Sequence, residues 1–175
     1  NKIKVGKRTP LGSGASFEVE KAEVQEASPR TTASRARTSN SWVAIKTVKE
    51  SDRAGASWTD VLLEIRSLLH EPLRYHPNIV RLLDIGWASI SGVHSAFPSL
   101  ILEYAEYGTL AHLQLNNDPL PFSVKQKLCY DVGRGLSILH ACGVVHGDLK
   151  HENVLIFRNP YDRPSKQPYS AKLAD

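Results

Sequence analysis

The stretch VVHGDLKHENVL, residues 144–155, sets Asp148, Lys150 and Asn153 at short intervals between apolar residues. Each side chain has a defined chemistry. An ionised carboxylate accepts a hydroxyl proton, an ammonium offsets phosphate charge, and an amide oxygen is a hard ligand for magnesium. Aimed at one point from a loop, the three would serve transfer of a phosphoryl group to a hydroxyl. The same residues also suit a polar turn between a helix and a strand, so the rest of the chain must decide.

Four further features bear on that choice. In LGSGASFEV, residues 11–19, Gly12 and Gly14 occupy a turn between strand-like runs, where a backbone free of side chains lets N–H groups approach phosphate oxygens. A glycine hairpin without any ligand reads the same way. VAIK, residues 43–46, ends an apolar run on Lys46, whose ammonium must reach solvent or find a partner. Glu64, on the flank of the next helix, is a candidate partner, although an ordinary solvated glutamate looks alike. AKLAD, residues 171–175, delivers Asp175 from a short strand, either as a magnesium ligand or as a plain terminus.

The elements that must position these residues follow from periodicity. KIKVGKRTPLG, ASFEVEKAEV and SWVAIKTVK read as strand, glycine turn, strand, loop, strand. Between the last two lie residues 27–40, rich in Ser, Thr and Arg and nearly free of bulky apolar side chains, hence a mobile insertion. Its Ser28 before Pro29 also allows a regulatory, phosphorylated segment. From Ser57 the period becomes helical, with Trp58, Val61, Leu62, Ile65, Leu68 and Leu69 on one stripe and Ser57 with Asp60 as a capping box. HPNIVRLLDIGW and SLILEYAEYGTL add strands, completing a mainly antiparallel sheet with one helix. Near residue 105 the architecture changes. Val124, Leu128, Val132, Leu136 and Leu139 mark one face of a long helix, and Gly143 suits the position just past its end. VLIF and AKLAD then read as short strands separated by a proline-rich loop.

Composition narrows the function classes. A chain of 175 residues, 41% hydrophobic, can bury a sizeable core as one domain or a small pair of lobes. No run approaches the roughly 18 consecutive apolar residues of a membrane helix, and the N-terminus lacks a signal-peptide pattern. Cys129 and Cys142 are too few for a disulfide framework, and each sits in an apolar helical pattern expected to bury a reduced thiol. A net charge of +4 is modest, and the three arginines of residues 29–40 have no interleaved aromatics to stack bases, which argues against nucleic acid. The chain reads as intracellular and cytoplasmic.

Five features in this order resemble the protein kinase family. The resemblance implies an α+β, bilobal fold: an N-lobe over residues 1–103, a hinge at 104–108, and a partial helical C-lobe over 109–175. It implies ATP and Mg2+ as cofactors and a protein substrate of unknown identity. Leu11, Gly12, Ser13, Gly14 and Val19 correspond to the loop over the phosphates, with Leu11 and Val19 against the adenine; Ala44 and Lys46 lie in the strand whose lysine contacts phosphate, and Glu64 pairs that lysine. Leu102 is the gatekeeper, the backbone of Glu103 and Ala105 meets the adenine edge, and Leu155 forms its floor. Asp148 is the catalytic base, Lys150 points to the serine/threonine class, and Asn153 and Asp175 hold magnesium.

The sequence departs from the family pattern in several places. Phe17 stands at the third-glycine position, His151 at a common proline, and Gly147 at the usual arginine that pairs with a phosphorylated activation loop. Control by that phosphorylation is therefore not expected. The family's activation segment and later helices would follow Asp175, so the resemblance implies a fragment that is inactive by itself, with part of the long helix uncovered. The alternative reading is a nucleotide-binding pseudokinase or interaction scaffold.

Overall fold

The computed structural model of the chain describes residues 3–14, 17–25, 42–48, 58–87, 89–90, 93–94, 97–116, 119–159 and 168–174. The expected insertion at 27–40, Ser57 of the capping box, most of the proline-rich loop and Asp175 lie outside the described residues. The chain divides into two compact units, residues 1–62 with 82–104 and residues 63–81 with 105–175.

The first unit is built on strands β1 (Lys4–Ser13), β2 (Phe17–Gln25), β3 (Trp42–Val48), β4 (Leu82–Gly86) and β7 (Ser99–Glu103), which form one antiparallel sheet in the order β1-β2-β3-β7-β4. A two-stranded ribbon, β5 (Ser89–Ile90) with β6 (Val93–His94), accompanies it. This is the expected antiparallel N-terminal sheet. Because strand side chains alternate, register decides what each face carries. Val43 and Ile45 face Ala22 and Ile101 in a buried cluster, packed by Ile3, Val5, Val24 and Leu83. Burying a side chain such as Ile45, 1% exposed, contributes about 2 kcal/mol. Edge strand β1 carries Lys4, Lys7 and Arg8, charges that discourage strand addition, and Arg8 pairs with Glu20 at 3.2 Å.

Helix α1 (Trp58–Leu69) uses only part of its expected stripe. Val61 and Leu68 are buried, whereas Trp58, Leu62 and Leu69 are more than one-third exposed. Trp58 still stacks on Phe97 with ring centroids 4.8 Å apart, an area of apolar contact its exposure conceals.

The second unit holds α2 (Glu71–Arg74), α3 (Leu110–Leu115), α4 (Phe122–Ala141) and the hairpin of β8 (Val154–Arg158) with β9 (Tyr169–Leu173). Sequence reasoning kept residues 63–81 with the strands; they group here instead, because the turn after α2 pairs with β9. Leu173 donates its N–H to the Asn78 carbonyl at 2.9 Å, and Val80 donates to the Leu173 carbonyl at 2.9 Å. Further along the same edge, Ala171 donates to buried Asp131 at 3.1 Å, while its carbonyl accepts from Asn78 Nδ2 at 2.9 Å. Lys127, one turn before Asp131 on α4, pairs with that carboxylate and balances its charge. The outer edge of β9 is thus satisfied by a loop and by a helix.

Consequently the buried face of α4 is Val124, Leu128, Asp131, Gly135 and Leu139. This corrects the expected stripe: Val132 and Leu136 are half-buried and, with Leu128, line an open apolar cavity of about 720 Å³. The periodicity was right in phase and wrong in width, since the helix turns a polar residue and a glycine toward β9. Cys129 is a second correction, being exposed at the cavity mouth where a buried thiol was expected; Cys142 is half-buried.

Candidate active site

In the first unit, β2, β3 and β7 gather most of the expected nucleotide residues on one sheet face. The register pairs Val19 with Lys46, Lys46 with Leu100, and Ala44 with Leu102, so Val19, Ala44, Lys46 and Leu102 point the same way. Ala44, Lys46 and Leu102 are buried, and Val19 is half-buried. Gly12 lies opposite Val19 at the end of β1, just past a register shift that leaves Leu11 48% exposed; Ser13 and Gly14 continue the turn and are exposed. A side chain added at Gly12 would meet nothing within 4 Å, and at Gly14 only the Phe17 carbonyl oxygen at 3.8 Å. The fold's own packing does not demand glycine there, which leaves approach by a ligand as a reason for it. Glu103 is half-buried opposite Val43, on the other face by register.

The second unit carries the loop of Asp148. Helix α4 ends in a double closure: Gly143 donates its N–H to the His140 carbonyl at 3.0 Å, and Val144 donates to Leu139 at 2.9 Å. With Gly143 at φ +72°, this is the reversal that stops a helix and turns the chain outward. Gly147 follows at φ +75°, a left-handed conformation in which L side chains are strained by about 1 kcal/mol or more. The departure from arginine at this position therefore relieves the backbone as well as removing a cation. A single turn of 3-10 helix, His151–Asn153, then leads into β8.

Within that loop the side chains converge. Asn153, buried, donates through Nδ2 to the Asp148 carbonyl oxygen at 2.9 Å and to Asp148 Oδ2 at 3.1 Å. Lys150 Nζ reaches the same Oδ2 at 2.7 Å. Asp148 itself is solvent-exposed, with Oδ1 unengaged among the described residues. Its carboxyl is held below the ordinary carboxylate value, first by the hydrogen bond and charge of Lys150, then by Asn153 and the charge of His146. The arrangement is an ionised carboxylate with one oxygen fixed and the other open to an acceptor hydroxyl.

A divalent cation fits the same geometry on chemical grounds. Since Asn153 commits its amide nitrogen to Asp148, its Oδ1 accepts no hydrogen bond among the described residues and is the oxygen that would be offered to magnesium. Asp175, the other expected ligand, is not among the described residues, but Ala174 before it donates to the Asn153 carbonyl at 3.0 Å. Leu155 is half-buried beside Thr109, and Ala105 is buried with its carbonyl accepting from Gly108 at 3.1 Å. Glu64 is half-buried on α1.

Two positions that organise the loop's surroundings escaped sequence reasoning. Asn78 and Asp131 hold β9 in place, yet only the spacing of Lys127 and Asp131 at i and i+4 within an apolar stripe could have signalled a buried pair. Among the described residues, both ring nitrogens of His146 are buried and without hydrogen-bond partners.

Residues 27–175 match the family described as Protein kinase domain. The glycine turn at 11–19 precedes the matched range. Serine/threonine-protein kinase GIN4 of Saccharomyces cerevisiae is 34% identical over 110 residues, 63% of this chain and 8% of the relative. Dual specificity testis-specific protein kinase 2 of Homo sapiens is 38% identical over 100 residues, 57% of this chain and 15% of the relative. The chain thus spans a small part of the length of these relatives.

Proposed function

Since the chain belongs to the protein kinase domain family, we propose that, as part of a complete kinase domain, it transfers the γ-phosphoryl group of ATP to serine or threonine hydroxyls of a protein substrate. The observation that carries this reading is the Asp148, Lys150 and Asn153 cluster, where an ionised carboxylate keeps one oxygen open beside an ammonium. Asp148 Oδ1 accepts a hydrogen bond from the acceptor hydroxyl, orients its oxygen in line with the transferred group, and receives the proton as the new bond forms. Lys150 offsets charge on the moving phosphoryl and keeps Asp148 ionised.

Asn153 Oδ1 and Asp175 would hold magnesium, which supplies charge neutralisation at the phosphates when bound. Lys46, oriented by Glu64, would take the α and β phosphates under the turn of Gly12, Ser13 and Gly14. Leu11, Val19, Ala44, Leu102 and Leu155 would enclose the adenine, with the backbone of Glu103 and Ala105 at its polar edge. Placement of the protein in the cytoplasm is consistent with its use of ATP, and among the described residues no helix is long and apolar enough to cross a membrane.

Lys150, two residues beyond Asp148, supports serine and threonine as the acceptors, and so does the likeness to serine/threonine-protein kinase GIN4, whereas the dual specificity relative makes tyrosine the acceptor to test against. Incubation of a complete kinase domain carrying this chain with γ-labelled ATP and peptides offering serine, threonine or tyrosine tests it. Label is expected on serine and threonine and is lost in Lys46→Met. Label on tyrosine alone would contradict the assignment.

A further inference from the structure

Phe17 occupies a position that brings its ring to the buried ammonium of Lys46. In the β2–β3 register Phe17 lies opposite Val48 and Val19 lies opposite Lys46, so Phe17 is diagonal to Lys46 on the same face. That offset is within reach of an aromatic side chain. Lys46 Nζ stands 4.4 Å from the centroid of the Phe17 ring, and Lys46 is only 7% exposed. The ring's negative face is a favourable neighbour for a cation withdrawn from water. Phe17 is anchored as well: its carbonyl accepts the Gly14 N–H at 2.8 Å, closing the glycine turn.

We propose that Phe17 is a positioning residue that sets the nucleotide affinity of Lys46, holding the ammonium on its ring until phosphate draws it away. The proposal rests on the reading of Lys46 as a phosphate ligand. A phosphate gains the lysine at the expense of its contact with the ring, so affinity depends on how strongly the side chain at this position attracts a cation. Adenine binding does not involve the ammonium and is unaffected. Phe17 therefore discriminates between phosphorylated and unphosphorylated forms of one nucleoside.

Phe17→Leu keeps an apolar side chain of similar size without a π face, and Phe17→Trp strengthens that face. The Kd of magnesium-ATP and of adenosine is measured by calorimetry for both variants and the parent. Independently, the ring-current shift of Lys46 is read by NMR after 13C-methylation of the lysines, with Lys46→Arg assigning the signal. The expected result is a Lys46 shift that disappears in Phe17→Leu and persists in Phe17→Trp. ATP should bind about three- to tenfold more tightly to Phe17→Leu and more weakly to Phe17→Trp, with adenosine unchanged. Equal ATP affinity in all three proteins, or parallel changes for adenosine, would overturn the proposal. If the Lys46 shift follows the ring while no form binds ATP, the reading of Lys46 as a phosphate ligand fails and the proposal fails with it.

Discussion

The carboxyl of Asp148 lies in water yet titrates low, because Lys150 and Asn153 both stabilise its charged form. The sign of the effect is testable. Removing the ammonium in Lys150→Met takes away the strongest stabilisation of the charged form, its hydrogen bond and charge, so the Asp148 titration in a 13C NMR series should move up toward the ordinary value of 3.8. An unmoved midpoint would detach Lys150 from this role. At this scale much of the site was legible: Asp148, Lys150 and Asn153 are residue types whose chemistry is apparent in one loop. The contact of Phe17 with Lys46 was not, since it arises from strand register and a diagonal offset that no short motif encodes. Gly147 was visible as a departure, but its positive φ was not.

Helix α4 and strand β9 show what periodicity can and cannot reveal. An apolar stripe of period 3.6 identified the helix and placed Val124, Leu128 and Leu139 correctly in its buried face. Asp131 and Gly135 completed that face because β9 needs a hydrogen-bond acceptor for Ala171 and room to approach. A Cβ at Gly135 would fall 2.8 Å from the Asn78 carbonyl oxygen and 2.9 Å from Leu173 Cδ1. Backbone is on one side of that contact, so little can yield. Gly135→Ala is therefore expected to destabilise the protein by about 2 kcal/mol and lower the Tm by several degrees, read by calorimetry. A Tm equal to the parent's would contradict the close approach. Conversely, Val132 and Leu136 line the open cavity because tertiary placement, rather than the apolar pattern, decides which part of a stripe is covered.

Across the whole molecule, the five strands of the first sheet, helices α1 and α4 and the β8–β9 hairpin were readable from alternation, helical period and turn residues, whereas the short helices α2 and α3 and the β5–β6 ribbon were not. The grouping of residues 63–81 with the second unit was not, as it depends on the pairing of residues 78–80 with β9. One consequence is a pH dependence of that unit's stability. His76 accepts the Asn78 N–H through Nδ1 at 3.2 Å, and burial, then the charge of Arg134, lowers its pKa from 6.5. Below that ordinary value the unfolded chain binds the proton more readily than the folded one, so stability falls as pH drops through 6.5 toward the folded pKa. In His76→Asn the denaturation midpoint should lose that part of its pH dependence; an unchanged slope would contradict it. The central claim, that this kinase domain works through an ionised Asp148, is tested most directly by the turnover of Asp148→Asn. In a complete kinase domain carrying this chain, with γ-labelled ATP and a serine peptide, kcat should fall by about 10³-fold while the melting curve and ATP affinity stay those of the parent. Turnover equal to the parent's would contradict the account.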